Sequence, residues 1–271
     1  MLTVKDLTYH HSKRFGINEM NLELPKGEVI SIIGPNGSGK STLLRLIAAL
    51  LQPQNGEIIL DGKNIVSANR KDIAKQLTML PQTHDVTLDF TVRELVEFGR
   101  NPYKRKFAPF SQEDKEIVDW ALDLANVKQY EHQHLSSLSG GERQRAWIAM
   151  VLAQSTEYLL LDEPTTFLDI VHQLEILEVV QTINQQYNRT VIMILHDLNQ
   201  AAQYSDRLIV MKDGTIYQQG SPEEVFSEKM FEEVFGISVS IHDMDGKPMF
   251  IPKRFKRKGK KECTSLPIPF A

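Results

Sequence analysis

The 271 residues hold a single cysteine, Cys263, so no intrachain disulfide can form. That excludes a small disulfide-built secreted fold and points to a reducing compartment. No apolar run approaches the roughly 20 residues that span a bilayer. The richest, Leu43 to Leu51, is short and carries Arg45. The opening MLTVKDLTYH has no basic stretch followed by an apolar one, so no secretory signal is expected there. A large excess of one charge is also missing. The 31 basic and 35 acidic side chains leave −4, which gives no footprint of a nucleic-acid binder. There is no internal repeat, and a coiled-coil rod is excluded. What is present is ordinary for one large domain or two small ones: 41% hydrophobic and 24% charged residues, enough to bury a core without staples.

Along the chain, strand and helix patterns alternate. LTVKDLTY, MNLEL and EVISII read as strands, with Pro25-Lys26-Gly27 turning between the last two. Glu28 to Ile33 is nearly all apolar, as a strand buried on both faces requires. Ser41 to Leu51 reads as a helix ended by Pro53, and Glu57 to Asp61 as a short antiparallel strand before an Asp-Gly turn. From Thr91 helical patterns take over. Thr91 with Glu94, and Ser111 with Asp114, have capping-box spacing. The second box opens a helix with Ile117, Trp120, Ala121 and Leu124 on one face. YLLLD, a helix near Ile170 to Tyr187, TVIMIL, a short helix and RLIVMKDG then restore the β/α alternation of right-handed crossovers and a mainly parallel sheet. Ser221-Pro222-Glu223-Glu224 starts a further helix, with proline at its first position.

Gly34-Pro35-Asn36-Gly37-Ser38-Gly39-Lys40-Ser41 fits the phosphate-loop pattern G-x-x-x-x-G-K-[ST]. Glycines there let several backbone N–H groups point at one anion, and the helix that follows adds its positive end. Lys40 reaches terminal phosphates, and the Ser41 hydroxyl is a magnesium ligand; Thr42 follows in the first helical turn. A chain of this length matches the pattern by chance about once in a hundred, and an apolar strand before it with a helix after it lowers that further. Tyr158 to Pro164, YLLLDEP, is an apolar strand ending in two carboxylates. Asp162 is placed to hold magnesium. Glu163, sent the other way by strand alternation, suits a general base acting on water. Ser139-Gly140-Gly141 at a helix start forms a second anion cradle of different design.

LSGGERQR followed by YLLLDEP resembles the nucleotide-binding subunit of ABC transporters. The resemblance covers about residues 2 to 240. It implies an α/β fold: a P-loop NTPase core with a mainly parallel sheet, an antiparallel β subdomain and an inserted α-helical subdomain at about residues 88 to 155. Residues 241 to 271 then form a C-terminal extension with a basic tail. Residue by residue, the resemblance makes Tyr9 the aromatic that stacks on adenine, although on the pattern alone it is equally a core tyrosine of a strand. It makes Gln82 the glutamine that contacts Mg²⁺ and the attacking water, Asp169 the D-loop aspartate and His196 the switch histidine on the γ-phosphate. Thr166-Phe167 before Leu168-Asp169 is bulkier than the family's usual Ser-Ala or Gly-Leu. ATP and Mg²⁺ are the implied cofactors, with Ser41, Gln82 and Asp162 toward the metal. Two subunits are expected to pack head to tail, each ATP lying between one phosphate loop and the Ser139, Gly140 and Gly141 of the other.

The resemblance also implies separate permease subunits, an extracytoplasmic solute-binding protein and a peripheral place on the cytoplasmic face of the cell membrane. Thr91 to Arg105 is similar to the permease-docking region of importer ATPases for iron–siderophore complexes, haem and cobalamin. A soluble ABC-type ATPase acting on nucleic acid or ribosomes is the alternative, but such proteins carry two cassettes or a long coiled-coil insert, and this chain has neither. A small-molecule kinase would leave LSGGERQR unexplained. Lys253 to Lys261 puts seven basic residues in nine positions and reads as a solvated tail or an aid to holding an anionic leaflet. His10-His11 and His132 with His134 lack the further ligands of a closed metal site and read as surface histidines.

Overall fold

The computed structural model describes residues 1–12, 15–82, 90–104 and 109–253. Arg105, Cys263 and the basic tail after Lys253 lie outside the described residues. An antiparallel unit comes first, with β1 (Leu2–Ser12) and β2 (Phe15–Leu24). The chain then enters the main sheet through β3 (Val29–Ile33) and leaves it through helix α1 (Lys40–Ile47). It returns to the first unit as β4 (Asn55–Leu60) and β5 (Lys63–Asn64), which completes a four-stranded sheet in the order β2-β1-β4-β5. A short helix α2 (Arg70–Ile73) leads to β6 (Leu77–Leu80).

A helical block follows: α3 (Val92–Phe98), α4 (Gln112–Leu124) and α5 (Gly140–Ala153). The β/α alternation resumes with β7 (Tyr158–Asp162), α6 (Ile170–Tyr187), β8 (Thr190–Ile194), α7 (Leu198–Tyr204) and β9 (Arg207–Lys212). An edge strand β10 (Thr215–Gly220), short helices α8 (Pro222–Val225) and α9 (Glu228–Met230), and the hairpin β11 (Val239–Met244) and β12 (Lys247–Pro252) complete the described chain. The main sheet has the order β10-β9-β3-β8-β7-β6; all its pairs are parallel except β10 with β9.

The sheet is buried on both faces, and strand alternation divides its side chains between two cores. Val29, Leu159, Leu161, Val191, Met193, Leu208 and Val210 point into one, shared with α3 to α7. Ile30, Ile32, Tyr158, Leu160, Ile192, Ile194, Ile209 and Met211 point into the other, shared with α1 and the antiparallel unit. The capping boxes at Thr91, Ser111 and Ser221 all form, each serine or threonine oxygen accepting an N–H and each acidic partner reaching back.

Three readings change. α1 does not run to Pro53. It stops at Ile47, where Ala49 adopts φ 55° and the N–H groups of Ala49 and Leu50 donate to the carbonyls of Leu46 and Arg45. That is a Schellman stop built on alanine, which carries no sequence flag. The buried stripe of α4 is Val118, Ala121 and Leu122; Trp120 and Leu124 only flank it, and Ile117 is half-exposed. Strands β6 and β10 also escape the periodicity argument. They are short edge strands without sustained alternation, β6 mostly buried and β10 mostly half-exposed.

Candidate active site

The parallel register brings the C-terminal ends of four strands to one edge. β3 feeds the loop at Gly34, β6 delivers Gln82, β7 delivers Asp162 and Glu163, and β8 delivers His196. Asp162 lies level with Ile194 in the ladder, two residues before His196. This is where open α/β sheets hold ligands. A cleft of about 460 Å³ opens there, lined among others by Gly37, Lys40, Ser41, Gln82, Glu163 and His196; Asn36, Gly39, Thr42, Thr166 and Phe167 complete it.

The loop is a wound nest of backbone N–H groups. Gly34, Gly37 and Gly39 have φ 147°, 82° and 101°, values a side chain would strain. Gly39 caps α1 with no side-chain acceptor, so the first N–H groups of the helix remain available to an anion. Lys40 is buried and folds back, its Nζ donating to the Gly34 and Pro35 carbonyls at 2.8 and 3.0 Å. Burial pushes its ammonium below the usual lysine range, opposed by the charges of Glu163 and Asp162.

Asp162 is 1% exposed. Its Oδ1 accepts from the Ser41 hydroxyl at 2.9 Å, while Oδ2 is buried with no partner among the described residues. Burial lifts its carboxyl above the ordinary aspartate range, with the Ser41 hydrogen bond working against the lift. The Ser38 hydroxyl, in the loop itself, is likewise buried without a partner. Orphaned oxygens at the floor of a polar cleft fit a group that the protein alone does not supply. Ser41 and Asp162 form the oxygen pair that a magnesium ion takes when a substrate's phosphates complete its shell.

A carboxyl whose native value is raised favours the protein below its unfolded value and loses that contribution as pH rises. As pH rises past the raised value, the buried charge of Asp162 therefore works against the fold. Asp162→Asn should leave the apo melting temperature unchanged or about 2 °C higher at pH 7.5, and should abolish the rise that MgATP gives the parent protein. Differential scanning fluorimetry with and without MgATP checks both halves.

Glu163 does not follow strand alternation, as the sequence suggested. The strand ends at Asp162, and Glu163 sits at φ 55°, which swings its carboxylate over the cleft. Three donors hold it: Gln82 Nε2 at 2.6 Å, His196 Nε2 at 2.7 Å and Thr166 Oγ1 at 3.2 Å. Gln82 and His196 thus share the Glu163 carboxylate, and Thr166 joins them without having been singled out.

The second cradle is not part of this cleft. Ser139 caps α5 and Glu142 reaches back to its N–H at 2.8 Å, a capping box that the S-x-x-E spacing carried unnoticed. A Cβ at Gly140 would meet nothing within 4 Å among the described residues, so their packing does not demand a glycine there. Asp169 caps α6 and is exposed. Tyr9 stands on β1, half-buried against the second core and outside the lining of this cleft.

Among the described residues no cluster of three or more histidine, cysteine or acidic side chains could hold a metal, and no helix is long and apolar enough to cross a membrane. His10 is engaged with Gln54 and Asn18.

A phosphate nest, an acidic strand end and a strand-end histidine on one parallel sheet edge define a nucleoside-triphosphate-hydrolysing cassette. The ABC transporter family model matches residues 17–166, and the chain belongs to that family, as an ATPase subunit. It is 57% identical to the petrobactin import ATP-binding protein FpuC of Bacillus anthracis, over 97% of each chain. It is 42% identical to the iron(3+)-hydroxamate import ATP-binding protein FhuC of Bacillus subtilis (strain 168), over 89% of each. It also resembles a dimeric, post-hydrolysis ATP-binding cassette holding ADP and phosphate (TM-score 0.71, 28% identity, 82% of this chain and 98% of that one).

Proposed function

We propose that the chain hydrolyses MgATP as one of two identical cassettes and powers uptake of an iron–siderophore chelate through separate permease subunits. The observation that carries the dimer is the separation of two anion cradles on one chain. Gly34 to Ser41 serves the protein's own cleft; Ser139, Gly140 and Gly141 stand apart from it, with Gly140 open to close approach. Head-to-tail packing gives the second cradle a triphosphate to hold. Ser41, Asp162 and Gln82 would hold magnesium, which supplies charge neutralisation on the phosphates. Lys40 binds the terminal phosphates, the α1 N–H groups orient them, and Glu163 takes the proton of the attacking water once His196 and Gln82 turn toward the γ-phosphate.

The import reading rests on relatives matched along nearly the whole chain, whose names concern petrobactin, hydroxamate and enterobactin. None of them supports the nucleic-acid or ribosome alternative. The permease is expected on the segment from Thr91 to Arg105, on the cytoplasmic face of the membrane, with a solute-binding protein delivering cargo outside. Deleting the gene should abolish growth on a ferric siderophore as sole iron source, and wild-type but not Glu163→Gln protein should restore it. Unimpaired growth of the deletion strain would end the cargo assignment.

A further inference from the structure

His172 joins the two surfaces that the dimer reading turns toward the partner copy. It lies on the first turn of α6, and its ring covers Gly141: a Cβ added to Gly141 would come within 2.4 Å of Cγ and Cδ2. Below the ring is a charged anchor. Arg145, on α5 one turn after Gly141 and 5% exposed, donates through Nη1 to Glu175 Oε2. His172 Nδ1 lies 2.9 Å from the same oxygen and 3.0 Å from Arg145 Nη1, so the ring sits on the ion pair. Toward the D-loop, the His172 backbone N–H donates to Asp169 Oδ1 at 3.0 Å, and Nε2 faces Asp169 Oδ2 at 3.9 Å. Gln144 Nε2 adds a tie from α5 to the Pro164 carbonyl at 3.0 Å.

We propose that His172 is a positioning residue that fixes the Ser139-Gly140-Gly141 cradle against the Asp169 loop, so that both meet the partner's nucleotide as one rigid surface. This rests on the head-to-tail reading. Glycine at 141 follows directly, because only a residue without a Cβ leaves room for the ring. His172 is absent from the cleft lining, so its loss leaves the chain's own phosphate site intact. Misplacement of a positioning group by about 1 Å lowers rate far more than affinity.

The test measures ATPase kinetics and nucleotide-driven dimerisation of the full chain. His172→Ala should lower kcat about tenfold or more with the KM for ATP within about twofold of the parent. In a Glu163→Gln background it should raise the protein concentration needed for the MgATP dimer about tenfold, at unchanged ATP affinity of the monomer. His172→Asn, which keeps a polar group beside the Arg145–Glu175 pair, should fall between the two and covers the case in which the alanine variant does not fold. The Gly141→Ala penalty in melting temperature should shrink when His172 is also alanine, since the clash is then gone. The proposal is overturned if kcat and dimerisation stay within twofold of the parent, or if kcat and ATP affinity fall together with the melting temperature as for a simple core filler. If Glu163→Gln protein itself never dimerises, the head-to-tail reading fails and this inference with it. If it dimerises equally well with and without His172, only this inference fails.

Discussion

Glu163→Gln protein should bind MgATP as tightly as the parent and hydrolyse it about 10²- to 10⁴-fold more slowly, the range lost when a general base is removed. The substitution is nearly isosteric. The carbonyl of the introduced amide can still accept from Gln82, and its NH₂ group can donate to His196 Nε2 once the imidazole proton sits on Nδ1, so the heavy atoms around this position need not move. What disappears is the capacity to take a proton from water. Single-turnover hydrolysis against equilibrium ATP binding separates the two effects. A drop of less than tenfold in turnover would assign the base elsewhere.

Lys40→Ala should weaken ATP binding at least 100-fold. Two charge-assisted hydrogen bonds at about 1.5–3 kcal/mol each are at stake, and each 1.4 kcal/mol is tenfold in affinity. Nζ rests on the Gly34 and Pro35 carbonyls, and burial disfavours its charge. A triphosphate replaces neutral acceptors by anionic ones and stabilises the ammonium. Titration calorimetry decides: unchanged affinity would mean that the cleft is held by backbone N–H groups alone.

The strongest sequence signals were those in which one residue type does one physical task. Gly34 to Ser41 showed the nest, because no other residues tolerate those backbone angles so cheaply. YLLLD, TVIMIL and RLIVMKDG showed the sheet, because parallel strands covered on both faces need apolar runs. Asp169, expected as a D-loop residue from the resemblance, is the N-cap of α6, a task its pattern did not announce. The aim of Glu163 was not legible: it depends on a left-handed residue just past a strand end, where alternation no longer applies. Nor was the sharing of its carboxylate by Gln82, His196 and Thr166, which requires the register of three strands. His172 was invisible for the same reason. Its partners Gly141 and Arg145 lie about thirty residues away, and only the packing of α5 on α6 brings them together.

The head-to-tail arrangement is the claim on which the rest depends, and light scattering of Glu163→Gln protein tests it most directly. With saturating MgATP the mass should double, it should return to that of one chain when the nucleotide is removed, and Ser139→Arg should block the doubling by placing a bulky side chain in the second cradle. A single-chain mass at saturation, with ATP binding verified on the same sample, would contradict it.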